Sequence, residues 1–267
     1  MKIYCTTFLL FFYALLFSQT KLLSWNIENI GRSKSAAEIE YMAQMIHPYD
    51  VIAIQEVVAG YGGAQAIARL AAALNRHGSN WDYTISDPTS SSAYKTERYA
   101  FIWKTANIKK IGAAWLEKTY HLVIDREPFL CTFEKEDKQF TVVNFHAVTK
   151  SQQPEKEIKY FKFLPEQYPD LNLVFAGDFN CPQSHTVFNP LKKMGYLPSL
   201  VKQKTSLKRG CKQQKCLASE LDNIYYNSSR LQKIKAGIIP FYTAFTSLKE
   251  ARKISDHVPV WLEFDMR

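Results

Sequence analysis

The sequence has no apolar run long enough to cross a membrane as a helix. Its longest, FLLFFYALLF at residues 8 to 17, is about half of the ~20 residues that a bilayer core requires. Glycine and proline are sparse, 10 and 11 in 267 residues, and they form no linker; low-complexity tracts, internal repeats and heptads are also missing. One domain is the simplest organisation, and 46% hydrophobic with 14% aromatic content is enough to build a large core. Cysteines number five, and neither their spacing nor a neighbouring histidine matches a zinc site. Acidic residues are outnumbered 25 to 34 by basic ones, a formal net charge of +9. That balance favours an acidic partner, either nucleic acid or an anionic membrane surface, without choosing between them.

The short apolar run has the form of a signal-peptide core: Lys2 precedes it, and Ser18, Gln19 and Thr20 lead into a strand pattern. Residues 1–19 are therefore expected to be removed, leaving one catalytic domain at 20–267 with no integral membrane segment. Processing removes Lys2 and no acid, so the mature chain stays basic. Cys5 precedes the apolar run and is not placed for a lipid anchor. Export exposes Cys131, Cys181, Cys211 and Cys216 to oxidising conditions, where four cysteines allow three full pairings. Cys211 with Cys216 is the expected pair, because KRGCKQQKC has little apolar content to hold a loop. Cys131, inside PFLCTF, is expected to be a buried thiol.

SAAEIEYMAQMI places Ile39, Met42, Ala43 and Ile46 on one helical face, with His47 and Pro48 as a stop. QAIARLAAALN does the same with Ile67, Leu70, Ala71 and Leu74. From Trp81 onward short strands take over: WDYTIS, RYAFIWK, FLCTFE, FTVVNFHA, LNLVFAGD, LDNIYYN and VPVWLEF. A helix over PEKEIKYFKFL, with Ile158, Phe161 and Leu164 inward, is expected to interrupt them. Many strands with a few helices indicate a layered α/β arrangement in which strand ends share one rim.

The most informative stretch is LNLVFAGDFNCP, residues 171 to 182, which delivers Asp178 and Asn180 to a strand end. Alternation puts these two on one face and turns Phe179 into the packing. Four other strand-like runs carry polar residues near an end: LLSWNIENI with Asn26, VIAIQEV with Glu56, FTVVNFHAV with His146, and ISDHVPVWLEF with Asp256 and His257. An unpaired buried polar group costs about 1 to 3 kcal/mol, so these strands are expected to converge on one site. Side-by-side carboxylate and amide oxygens suit a phosphate and its metal.

WNIENIG, AIQEV, TERYAFIWK, the histidine of NFHAV, GDFN, LDNIYY and SDHVPV follow the order of the endonuclease/exonuclease/phosphatase superfamily, which the chain resembles over roughly residues 22 to 265. IENIGRSK, SDPTSSSAYKTERYAFIW and Arg126-Glu127-Pro128 resemble its deoxyribonuclease I branch. Two departures stand out. YKTERY carries one residue more than that branch's Tyr-Lys-Glu-Arg-Tyr, displacing Tyr94, and CPQSH lacks the disulfide spacing of the animal enzymes.

The resemblance implies a four-layer sandwich, two packed mixed β-sheets flanked by helices. It implies Mg²⁺, with Mn²⁺ or Ca²⁺ as substitutes, held by Glu56 with Asn26 and Asp256. Asp178 and Asn180 would hold the phosphate and position water. His257, oriented by Asp222, would be the base that activates water, and His146, oriented by Glu97, the acid that protonates the leaving 3′ oxygen. Arg32, Tyr94 and Arg126 would reach a DNA duplex through its minor groove, with little sequence preference. His47, His121 and His185 are left as structural or surface residues.

The function these residues imply is a secreted or periplasmic, monomeric, metal-dependent endonuclease leaving 5′-phosphorylated DNA ends. A sphingomyelinase-like phospholipid phosphodiesterase would share the hydrolytic core but needs an apolar membrane hairpin, where this chain offers the basic SLKRGCKQQKC. A non-catalytic nucleic-acid-binding protein on the same scaffold would be free to lose Glu56, Asp178 or His257, and all three are present.

Overall fold

The computed structural model describes residues 19–91, 95–212 and 215–267. Tyr94 and the expected leader up to residue 18 lie outside the described residues. Two six-stranded sheets form the body. In the first, β1 (Thr20–Ile30) runs parallel to β2 (Val51–Val58), with α1 (Ala36–Ile46) connecting them. Next to β2 come β4 (Glu97–Lys104) and the edge strand β3 (Trp81–Ile85); next to β1 come β14 (Val260–Met266) and the edge strand β13 (Leu231–Ile238). The second sheet runs β5 (Lys109–Leu116), β6 (Phe129–Lys135), β7 (Lys138–His146), β8 (Leu173–Asp178), β12 (Asp222–Asn227) and β9 (Tyr196–Pro198), with β7 and β8 parallel. A hairpin of β10 (Leu207–Lys212) and β11 (Lys215–Leu217) stands apart, stapled by the expected Cys211–Cys216 disulfide. Cys131 and Cys181 are buried thiols.

Apolar alternation explains the layering. The inner faces of the two sheets share a core that includes Val51, Phe101, Phe133, Phe140, Ile224 and Phe264. The outer face of the first sheet is covered by α1, α2 (Tyr61–Asn75) and α6 (Leu248–Ile254). The short helices α3 (Glu155–Ile158), α4 (Leu164–Gln167) and α5 (Asn189–Lys193) cover the second. Helix α1 starts on a capping box: Ser35 Oγ accepts from Glu38 N–H, and the Glu38 carboxylate accepts from Ser35 N–H. The single helix expected over PEKEIKYFKFL is instead α3, a 3₁₀ turn at Phe161–Phe163 and α4. Its inward residues Ile158, Phe161 and Leu164 are buried as expected. Their spacing of three matches a 3₁₀ period, and Pro165 withholds an N–H from a continuous helix. Among the described residues no helix is long and apolar enough to span a membrane.

A polar bridge inside the core helps to pin the two sheets together. Asn144 on β7, fully buried, donates to the carbonyls of Ile54 at 3.0 Å and Ala100 at 3.3 Å, both on the opposite sheet, and accepts from Gln55 at 2.6 Å. Replacing it with a leucine of similar bulk removes all three bonds at a site without water, and Gln55 Nε2 keeps only Ser24 Oγ and Ala53 O. Asn144→Leu is expected to destabilise the protein by about 2 to 4 kcal/mol, read as a lowered midpoint in urea unfolding.

Candidate active site

The strand ends of both sheets meet at one rim and surround a cavity of about 390 Å³. Asp178 ends β8, and its direct register partners on the neighbouring strands are His146 of β7 and Asp222 of β12. From the first sheet come Asn26 of β1, Glu56 of β2 and Glu97 of β4, while His257 enters between α6 and β14.

Asp178 is the hub. Its Oδ2 accepts from Asn26 Nδ2 at 3.1 Å and lies 3.6 Å from His146 Nε2 and 3.7 Å from His257 Nε2. Behind each imidazole stands a second acid. His257 Nδ1 is 2.7 Å from Asp222 Oδ2, and His146 Nδ1 is 3.0 Å from both oxygens of Glu97. These pairings leave both Nε2 atoms facing Asp178.

Burial disfavours the imidazolium of His257, but Asp222 and Asp178 outweigh it and hold the pKa well above the ordinary histidine value. His146 follows the same pattern: burial lowers its pKa, Glu97 raises it, Arg126 opposes, and the net direction is upward. For Asp178 burial pushes upward, yet His257, His146, the Asn180 N–H and Asn26 together bring it below the usual carboxylate range.

Two site residues depend on backbone that strands do not ordinarily adopt. Glu56 has φ +58° within a bulge, where the pairing with β4 shifts register between Ile54 and Val57. The bulge turns its carboxylate into the cavity, where Oε1 accepts from Asn26 Nδ2 at 2.9 Å and Oε2 from Asn29 N–H at 3.1 Å. Asn180 has φ +49°. Strand alternation was expected to place it beside Asp178, but β8 stops at Asp178 and a turn brings Asn180 to the cavity. Its N–H caps Asp178 Oδ1 at 2.9 Å and its Nδ2 donates to Ala147 O at 3.0 Å. Phe179 is buried, as alternation predicts.

Asp256 lies at the edge, 3.3 Å from Arg252 and 4.0 Å from His257 Nε2. Arg126 lines the cavity but is 8% exposed, donating to the carbonyls of His146 and Ala147 and lying 3.8 Å from Glu97. It braces the end of β7. Arg32 is outside the cavity, on a surface cleft with Arg69 beside the start of α2.

Several supporting residues had no separate signal in the sequence. Tyr99 OH accepts from His146 N–H at 3.1 Å and donates to Arg126 O. Lys34, 5% exposed, donates to the carbonyls of Lys253 and Ile254 at the end of α6, and Ser255 Oγ ties Asn26 O to His257 N–H. Lys34 falls within IENIGRSK and Ser255 begins SDHVPV, so each stood inside a motif without a role.

The donor set fits a hard divalent cation. Asn26 Oδ1 is buried without a hydrogen-bond partner among the described residues, while Nδ2 of the same amide donates to the Glu56 carboxylate. Asp178, Asp222 and His257 also cluster, but the 2.7 Å hydrogen bond already occupies His257 Nδ1 and Asp222 Oδ2.

A two-sheet sandwich with acids and paired histidines on its rim defines a class of α/β hydrolytic scaffold. The chain belongs to the endonuclease/exonuclease/phosphatase family, whose model matches residues 23–257. Within the family it is similar to a deoxyribonuclease of Thioalkalivibrio sp. (strain K90mix), 26% identical over 92% of this chain and 71% of that protein. It is also similar to deoxyribonuclease-1 of Canis lupus familiaris, 29% identical over 62% of this chain and 61% of that protein, so the match spans under two thirds of the dog enzyme. A solved endonuclease/exonuclease/phosphatase family protein from Bacteroides thetaiotaomicron superposes with a TM-score of 0.66 at 16% identity, covering 92% of this chain and 97% of that one. That likeness is one of fold.

Proposed function

We propose that this protein is an exported, divalent-metal-dependent endonuclease that hydrolyses DNA phosphodiesters with little sequence preference and leaves 5′-phosphates. Residues 1–19 are its removable leader and 20–267 its catalytic domain, acting as a monomer on duplex DNA approached through the minor groove. Two imidazoles flank one carboxylate oxygen, each with its far nitrogen held by another acid, and hydrolysis of a diester needs two such proton carriers.

His257 Nε2 takes a proton from the attacking water as its oxygen bonds to phosphorus. Asp222 holds the Nδ1 proton and stabilises the imidazolium that results. His146 Nε2 gives a proton to the 3′ oxygen as the P–O bond breaks, with Glu97 fixing its ring. Asp178 orients both imidazoles and, with Asn180, receives the water and phosphate. Glu56, Asn26 and Asp256 would hold Mg²⁺, or Mn²⁺ or Ca²⁺ in its place, and the ion would neutralise charge building on the phosphoryl oxygens.

The mature protein is expected to nick supercoiled plasmid in Mg²⁺, to stop when a chelator is added, and to resume when Mg²⁺ is restored in excess. Divalent cation should also raise the melting temperature, because it relieves the carboxylate cluster in the folded state only. Nicking that persists in chelator would overturn the metal role. A folded protein that cleaves sphingomyelin and no DNA would transfer the site to phospholipid diesters.

A further inference from the structure

The net charge of the chain is concentrated in one stretch. Between Asp178 and Glu220 there are eight basic residues and no acid, which leaves 26 basic against 25 acidic residues everywhere else. Six of the eight, Lys202, Lys204, Lys208, Arg209, Lys212 and Lys215, fall in the loop before β10 and in the β10–β11 hairpin. Lys202, Lys204, Arg209 and Lys215 are exposed, and none of these four side chains has a hydrogen bond or ion pair among the described residues. Like charges held so close repel one another and cost stability. Solubility needs charge but not its concentration in one place.

The same stretch is pressed against the catalytic rim. Thr205 O accepts from Val258 N–H at 2.8 Å and Thr205 Oγ1 from Asp222 N–H at 3.0 Å, Ser206 forms an isolated bridge to His257, and Leu207 N–H donates to Asp256 O at 2.7 Å. Lys204 and Lys208 therefore stand at the two ends of a three-residue strip that backs His257 and Asp222. Beyond the strip the hairpin is fixed before any ligand arrives. Leu207 and Cys216 are buried in one core with Leu248, Ala251 and Ile254 of α6, Arg252 donates to Leu207 O at 3.2 Å, and the Cys211–Cys216 disulfide staples the two strands. The five steps from Lys204 to Arg209 reach at most about 18 Å, the length of about five base pairs of duplex.

An anionic membrane would also be drawn to this charge, but a surface that lies on a bilayer carries apolar side chains to insert. The hairpin presents none: Leu207 and Cys216 are buried and Leu217 is half-buried. We propose that Lys202, Lys204, Lys208, Arg209 and Lys215 form a second contact surface for the substrate, which holds phosphates of a DNA duplex flanking the one being cut, on the His257 side of the cavity. The inference rests on the nuclease reading above. Phosphate contacts carry no base information, so this surface adds affinity for duplex without adding sequence preference. It favours long DNA over fragments that end before they reach it. Each phosphate it neutralises releases a counterion, so its contribution fades as salt rises.

The test compares the mature wild type with a triple variant, Lys204→Gln, Arg209→Gln and Lys215→Gln, with thermal melts to confirm folding. A control removes the same charge from Lys109, Lys138 and Lys235, which are exposed and line no part of the cavity. KM is measured against salt on a duplex of about 30 base pairs, where the slope of log KM on log salt is expected to fall by about 2 to 3 in the triple variant and by less than about 1 in the control. At low salt the triple variant should show a KM raised about tenfold or more at unchanged kcat, and its hydrolysis of bis(p-nitrophenyl) phosphate, which has no flanking phosphates, should match wild type. A slope and KM like those of wild type, or a change equal to that of the control, overturn the proposal. So does a matching loss on bis(p-nitrophenyl) phosphate, which would mean that the residues act by propping up His257. Binding to anionic vesicles that the triple variant loses, with KM for DNA unmoved, assigns the surface to lipid and overturns it as well. A wild type that hydrolyses bis(p-nitrophenyl) phosphate and no form of DNA removes the nuclease reading itself, and this inference with it.

Discussion

His257→Ala is expected to lower kcat for DNA hydrolysis by about 10²- to 10⁴-fold while changing DNA affinity by less than about threefold. The imidazole is 9% exposed, its Nδ1 is held by Asp222 at 2.7 Å, and its Nε2 faces Asp178 at 3.7 Å. On the proposed reading, its removal takes away the proton acceptor and leaves the proposed DNA-binding surface untouched. His146→Ala is expected to fall in the same range, yet the two losses differ in kind. A diester whose leaving group is p-nitrophenolate departs without a proton, so the acid is dispensable on it and the base is not. Relative to wild type, His146→Ala should recover most of its rate on such a substrate, and His257→Ala should recover none. Single-turnover kinetics on both substrates separates the roles. Equal recovery in the two variants would reverse or dissolve the assignment, and loss of folding in both, seen by circular dichroism, would make the histidines structural.

The parts of this arrangement that were legible in the sequence are those where burial acts on consecutive residues. FTVVNFHA and LNLVFAGD read as strands because almost every side chain in β7 and β8 is buried, and the helical faces of α1 and α2 follow from a stripe of apolar positions. Two edge strands escaped. KKIGAAWL and LQKIKAGI form β5 and β13 with few buried residues and several lysines, the composition that protects an edge from pairing and hides it from an apolar pattern. Nothing in VIAIQEV marks the bulge that turns Glu56 to φ +58°, since that conformation is imposed by β1 and β4 on either side. The acids behind the histidines are 35 and 49 residues away in the chain, a distance over which no local pattern acts, and only the resemblance to a family paired them. Arg126 was expected at the DNA surface, and its guanidinium instead holds the carbonyls of His146 and Ala147. A basic residue in a motif does not reveal from sequence whether its partner is substrate or backbone.

Gly177→Ala is expected to destabilise the protein by at least about 3 kcal/mol and to lower kcat in whatever fraction folds. Gly177 has φ +150°, and a Cβ there would sit 1.9 Å from the carbonyl oxygen of Phe145. The clash is with backbone, so no side chain can rotate away from it. Phe145 cannot retreat easily, because its ring packs against Phe161 and Phe179 at 4.6 and 6.0 Å. Phe145 pairs with Gly177 one rung before His146 pairs with Asp178. Relief therefore requires β7 and β8 to part next to the rung that sets the 3.6 Å separation of His146 Nε2 and Asp178 Oδ2. Gly210→Ala provides the comparison: nothing lies within 4 Å of its Cβ position, and a change within about 0.5 kcal/mol is expected. Urea midpoints for both variants, with kcat measured below the transition, check the pair. A Gly177→Ala protein as stable and as active as wild type would mean that β7 and β8 do not approach so closely. If the expected loss is found, the glycine of GDFN is a packing requirement: only a residue without a side chain lets the two strands close to the distance at which Asp178 meets both histidines.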